Sequence, residues 1–221
     1  MLFYIQNPEQ GTVKNEDFNH LRSHRLQLKD KFWATNLQGS LYECQISKLD
    51  KKSSEANFDI LSLKISPIQL QKILVQAIPD KLYLDKLVEV ATFAGFQEII
   101  LFASDFSPSY NPNLLRLKKI SRSASLLSEQ LFEPQIKILD KNTSDFQTYL
   151  TQAAIILEQF GEIADSQIKS TNIENIIVGP EGGWSPKELD WFRELDLKLV
   201  SLDSAKVYPA WLAGSVWKFY F

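Results

Sequence analysis

The arrangement of apolar and polar positions changes about a third of the way along the chain. Residues 1–66 carry short runs with partial alternation, the period of half-buried strands: Phe3 to Ile5, Lys31 to Thr35, Leu41 to Ile46 and Phe58 to Ile65. Turn-forming residues separate them at Asn7-Pro8, Gly11, Gln38-Gly39-Ser40 and the polar stretch Lys51 to Glu55. Several short strands so closely spaced predict a small β-barrel, with one short helix over Asn19 to Arg25. Ser66-Pro67 is the expected boundary, because the residue before a proline is pushed out of the helical region.

Beyond it, strand and helix patterns alternate. Strands are predicted over Gln69 to Ile78, Glu98 to Ala103, Gln135 to Leu139, Ile173 to Val178 and Lys198 to Leu202. A helix over Lys81 to Ala94 places Leu84, Leu87, Val88 and Ala91 on one face and ends at Gly95. Further helices are predicted over Leu114 to Gln130, Phe146 to Phe160, Pro186 to Glu194, and from Ala210 onward. This alternation predicts an α/β domain over 67–221, with a parallel sheet covered by helices.

Composition narrows the class without naming a function. The 221 residues suit one large domain or two small ones, and 44% hydrophobic with 23% charged residues is ordinary for a globular protein. The single cysteine, Cys44, rules out an internal disulfide and a cysteine metal cluster, so no metal is expected and a reducing cytoplasm is. Met1 to Ile5 is too short an apolar opening for a signal peptide, and no apolar run approaches the ~20 residues of a membrane span. A net charge of −3 argues against avid nonspecific RNA binding. Residues 1–68 hold nine Lys and Arg against eight Asp and Glu, so no broad basic patch is expected there.

The candidate chemistry lies at Ile176-Ile177-Val178-Gly179-Pro180-Glu181-Gly182-Gly183-Trp184-Ser185-Pro186-Lys187-Glu188. An apolar β-branched strand runs into a turn with three glycines and one proline, and then into a helix start. Ser185 suits the N-cap, Pro186 the first helical position, and Glu188 the third residue of a capping box. Strand, glycine loop and helix N-terminus form the layout with which α/β proteins hold a ligand at the carboxyl end of a strand. The G-x-G-x-x-G and G-K-[ST] spacings are absent, so the loop is neither a dinucleotide fingerprint nor a P-loop. Gly182→Val is expected to abolish binding of such a ligand, because a β-branched side chain blocks close approach and resists the positive φ expected at Gly182.

The string Gly-Pro-Glu-Gly-Gly-aromatic-Ser-x-x-Glu resembles the signature of the RsmE family, SPOUT-superfamily methyltransferases that use S-adenosylmethionine to methylate N3 of a uridine in 16S ribosomal RNA. The resemblance is dense over Val178 to Glu188 and thinner elsewhere. It implies a C-terminal SPOUT-type, trefoil-knotted parallel-sheet domain preceded by a PUA-like β-barrel, and a homodimer built partly by the final helix, Trp211 to Phe221. S-adenosylmethionine would contact Val178, Gly179, Pro180, Glu181, Gly182, Gly183, Leu202, Val207 and Tyr208. The barrel would touch RNA through Arg22, His24 and Arg25; a solvated helix face is the alternative. In the family's His-Leu…Leu-Arg…Gly-Asp pattern, His20, Leu21, Arg25 and Asp30 are kept, but Lys29 stands at the Gly and the spacing is one residue short.

Several polar positions of that family are replaced. Its Lys-Ala-Thr-Glu-Leu-Gly segment corresponds to Val90-Ala91-Thr92-Phe93-Ala94-Gly95, its second-helix Gln and Arg fall on Leu127 and Gln130, and its Glu-Arg after the next strand is Asp105-Phe106. In the last motif Leu202 is kept, Asp203 replaces Gly, the Arg position falls on Tyr208 or Pro209, and the Glu-Thr pair is gone. Methylating N3 of uridine needs an oriented methyl donor, loss of the N3 proton, and stabilisation of charge on the uracil. Lys206 is the one cation between Lys198 and Lys218, which makes it the candidate for the third need. Glu181 either bonds the loop's own amides or handles substrate. Two functions follow: an active rRNA methyltransferase, or a catalytically degenerate SPOUT protein that binds RNA or a protein partner.

Overall fold

The computed structural model describes residues 2–67, 72–139, 144–163, 173–202 and 208–220. The chain forms two compact units, residues 1–69 with 125–133, and residues 70–124 with 134–221.

The first unit is a five-stranded sheet in the order β1-β3-β4-β5-β2, with β1 Leu2–Tyr4, β2 Thr12–Lys14, β3 Lys31–Thr35, β4 Ser40–Asp50 and β5 Glu55–Ile65. β1 pairs parallel with β3 and the other pairings are antiparallel. Register slips at Glu43/Cys44 and Ile46/Lys48 bend the long β4–β5 hairpin around one core. That core holds Phe3, Phe18, Phe32, Tyr42, Ile46 and Phe58. Helix α1, Asn15–Ser23, begins four residues earlier than expected and puts Phe18 and Leu21 into this core. The β2 strand has no counterpart in the sequence reading. At three residues it is too short to show a period, and it is held by Thr12 to Lys14 pairing with Asn57 to Glu55.

The second unit is a six-stranded, fully parallel sheet in the order β11-β9-β10-β6-β7-β8. Its strands are β6 Ile73–Ala77, β7 Glu98–Phe102, β8 Gln135–Ile138, β9 Ala154–Ile163, β10 Asn175–Val178 and β11 Lys198–Ser201. Its helices are α2 Lys81–Phe93, α3 Leu114–Leu127, α4 Pro186–Glu194 and α5 Ala210–Tyr220. Successive residues face opposite layers. Leu74, Ile99, Ile155 and Ile176 pack with Leu87, Leu117 and Trp217, while Val75, Ile100, Ile156 and Ile177 pack with Phe192 and Trp184. Strands buried on both faces read as continuous apolar runs, as Ile176-Ile177-Val178 does.

One predicted element is wrong. Phe146 to Phe160 is not a helix but a 3-10 turn, Ser144–Tyr149, followed by strand β9. Its apolar residues Phe146, Leu150, Ala153 and Leu157 recur at helical spacing. The slot between β10 and β11 decides otherwise, because Ala154 to Leu157 pairs with Asn175 to Val178. The loop in which the resemblance places part of the knot includes 203–207, which lie outside the described residues.

Candidate functional site

The strand order reverses beside β10. Chain order runs outward through β6, β7 and β8 on one side, and β9 and β11 lie on the other. This is the switch point at which open parallel sheets hold ligands beyond the carboxyl ends of their strands. The glycine loop leaves β10 there. The side-chain amide of Gln76, buried in β6, donates through Nε2 to Gly179 O at 3.0 Å and ties the start of the loop to the neighbouring strand.

The loop is a turn closed by Gly183 N donating to Pro180 O at 2.9 Å. Its need for glycine falls at two positions. Gly183 has φ +75°, and a Cβ on Gly179 would lie 3.0 Å from the Trp184 ring. The expectation at Gly182 is corrected: its φ is not positive, and an added Cβ would meet Phe106 Cβ at an ordinary 3.4 Å. Trp184 is buried, donates Nε1–H to Leu157 O at 3.1 Å, and packs edge-to-face on Phe192 at 4.9 Å. The bulky aromatic thus anchors the loop to β9.

The helix start forms as the sequence requires. Ser185 Oγ accepts from Glu188 N and Glu188 Oε2 accepts from Ser185 N at 2.8 Å. The box also captures the loop after β7. Ser185 Oγ donates to Asp105 Oδ2 at 2.6 Å, and Asp105 N donates to Glu188 Oε1 at 3.1 Å. Asp105 is thereby fixed, and the next residue, Phe106, stands beside Gly182.

Glu181 reaches beyond its own loop. Its Oε2 accepts from Asp80 N at 3.1 Å, while Asp80 Oδ1 caps α2 by accepting from Leu82 N. Tyr110 OH donates to Pro79 O at 2.8 Å in the same cluster. Burial pushes its phenol up to about 12, with the charges of Asp80, Glu181 and Asp85 adding to the shift.

A cavity of about 420 Å³ opens on the loop. Val178, Gly179, Pro180, Glu181, Gly182, Gly183, Leu202 and Tyr208 all line it, so the structure brings eight of the expected cofactor residues together. Val207 and Lys206 lie outside the described residues. Arg22, His24 and Arg25 are exposed in the first unit, at and after the end of α1, with Arg22 over the Phe18 ring and His24 edge-on to Phe3. The sequence reading missed Leu157 to Phe160, which also line the cavity. The β9–β11 register jumps there, Leu199 pairing with Ile156 but Val200 with Glu162, so the intervening residues leave the ladder with β11. A stretch read as helix gave no signal of that bulge.

The charged side chains lining the cavity are Glu158 and Glu181, and among the described residues no lysine or arginine does. Apolar walls from Leu157, Val178, Val200 and Leu202, backbone amides from the loop, and carboxylates at the edge suit a ligand with a flat ring and a positive centre.

Known proteins define the class. The family model described as RNA methyltransferase domain matches residues 66–205, and that described as RNA methyltransferase PUA domain matches 13–59. The chain belongs to this RNA methyltransferase family. Two curated relatives carry the name ribosomal RNA small subunit methyltransferase E. That of Aquifex aeolicus is 24% identical over 86% of this chain and 85% of its own, and that of Helicobacter pylori is equally similar over the same shares. The resemblance to the RsmE family is thereby borne out. Two solved structures share the fold. A probable rRNA-methyltransferase from Porphyromonas gingivalis has a TM-score of 0.80 at 22% identity, covering 99% of this chain and 95% of its own. The small subunit methyltransferase E of Neisseria gonorrhoeae, bound to S-adenosyl methionine, has a TM-score of 0.81 at 17% identity over 99% and 94%.

Proposed function

We propose that this RNA methyltransferase uses S-adenosylmethionine to methylate N3 of a uridine in 16S rRNA. The observation that carries the reading is the glycine-loop cavity at the sheet's switch point, with eight expected cofactor residues on its wall. The names of the two curated relatives support the rRNA substrate, and the ligand of the Neisseria gonorrhoeae structure supports the cofactor.

S-adenosylmethionine supplies an electrophilic methyl group on a sulfonium. Residues 179–183 would present backbone groups to its polar edges, and Leu157, Val178 and Leu202, which line the cavity, would exclude water from its ring. Glu158 and Glu181, which line the cavity, would offset the positive sulfonium. Glu181 also fixes the loop against the α2 cap, so it orients the site rather than acting as a base. Lys206 is the proposed cation for the charge developing on uracil; an ammonium lacks the planar fork of arginine and orients less well. Residues 1–66 take the RNA through Arg22, His24 and Arg25, and 67–221 carry the reaction. The protein works in the cytoplasm as a homodimer.

Methyl transfer to small-subunit rRNA, read by mass spectrometry of the nucleosides, tests the activity, and calorimetry with S-adenosylmethionine tests the site. N3-methyluridine is the expected product. Lys206→Met should cut the rate about 10²–10³-fold, the typical loss of one stabilising group. An unchanged rate removes Lys206 from the mechanism. Cofactor binding without transfer to any rRNA would favour the degenerate reading.

A further inference from the structure

We propose that the mouth of this site recognises an unpaired nucleobase by stacking on Phe106 and Phe160, with the RNA phosphates held away from it. The inference rests on the proposed RNA methyltransferase reading and specifies how that site takes its substrate.

Phe106 and Phe160 are 53% and 88% exposed, although apolar side chains of this size are ordinarily covered. Each is placed by a specific local structure. Phe106 follows Asp105, whose carboxylate and amide are held by the Ser185–Glu188 capping box, and its Cβ lies 3.4 Å from the position of a Cβ on Gly182. Phe160 lines the cavity from the bulged part of β9, where the ladder with β11 is interrupted. Phe106 lies in the loop that follows β7 and Phe160 lies in β9, and these two strands stand on opposite sides of β10 in the sheet order.

Charge decides the class of group that fits. Glu158 and Glu181 line the cavity, and Asp105 and Glu188 adjoin Phe106. No lysine or arginine lines the cavity among the described residues. A phosphate brought here would face carboxylates, whereas a neutral base presents a flat π-surface to either ring. Aromatic stacking of unstacked bases is the usual means of holding single-stranded RNA.

The test uses the full-length protein and fluorescence anisotropy with two labelled oligoribonucleotides. One carries a central unpaired uridine and the other an abasic nucleotide at that position, so that they differ in base and not in phosphate. Calorimetry with S-adenosylmethionine alone is run in parallel. The parent should bind the uridine oligonucleotide about tenfold or more tightly than the abasic one. Phe106→Leu and Phe160→Leu should each erase most of that difference, and Phe106→Tyr should retain it. Equal binding of the two oligonucleotides by the parent, or a full difference in both leucine variants, overturns the stacking proposal whatever the cofactor does. A parent that discriminates between the oligonucleotides but takes no S-adenosylmethionine supports stacking and overturns the methyltransferase reading instead.

Discussion

Lys29 stands at a position where the resembled family has glycine, and its φ of +72° explains why glycine would be used there. Its amide donates to Ile46 O at 2.9 Å, and Ile46 N returns a bond to Asp30 O at 3.0 Å. The left-handed backbone is therefore imposed by the hairpin and persists despite a Cβ, which costs about 1–2 kcal/mol. Lys29→Gly should stabilise the protein by about 0.5–1 kcal/mol, since part of that relief is lost to the freer unfolded chain. Urea denaturation checks it, and a loss of stability would show that the lysine side chain holds something. The glycine loop teaches the same lesson. Three glycines look equivalent in sequence, but only backbone angles and the Trp184 ring separate Gly179 and Gly183 from the more tolerant Gly182.

Among elements, α4 was legible and β9 was not. Helix α4 is specified locally: N-cap, proline and glutamate lie within four residues and need no other part of the chain. What local reading missed is that the cap hydroxyl also serves Asp105, eighty residues away in sequence. Ser185→Ala should destabilise the protein by about 1–2 kcal/mol, because it removes the cap acceptor and leaves Asp105 without its donor. Ser185→Thr should recover most of this, and an alanine variant within about 0.3 kcal/mol of the parent in denaturant would remove the shared role. The β9 segment shows the opposite case. Its apolar spacing fits a helix, and only pairing to β10 and β11 makes it a strand.

For the molecule as a whole, the dimer expectation can be given a surface. Of the apolar residues in the last helix, Val216 is buried and Trp217 lies in the core of its own unit, while the side chains of 219–221 lie outside the described residues. Beside it, open apolar surface lies on α2, where Leu82 is 77% and Phe93 37% exposed, and on the α5 residues Trp211 and Leu212, which are half-buried. Trp211 stacks on Tyr83 of α2 at 6.0 Å, so these helices form one continuous surface. A homodimer through that surface should appear by light scattering at micromolar concentration, and Leu82→Lys with Phe93→Lys should convert it to monomer. A monomeric parent would refute it. No helix among the described residues is long and apolar enough to cross a membrane.

The sequence by itself determined the alternation of strand and helix in the second unit outside residues 146–160, the capping box, and the glycine loop with its family. Each depends on neighbours within a few residues, where propensity and hydrogen-bond chemistry act without help. The tertiary structure alone decided that residues 154–157 are a strand and that Glu181 clamps the α2 cap. It also decided that residues 125–133 join the first unit, where Gly39 N donates to Leu131 O at 2.7 Å, that Phe160 lines the cavity, and that Phe106 stands against Gly182. These features join residues far apart in the chain. Their energy comes from pairing and burial that exist only once the sheet is assembled, and no local pattern encodes it.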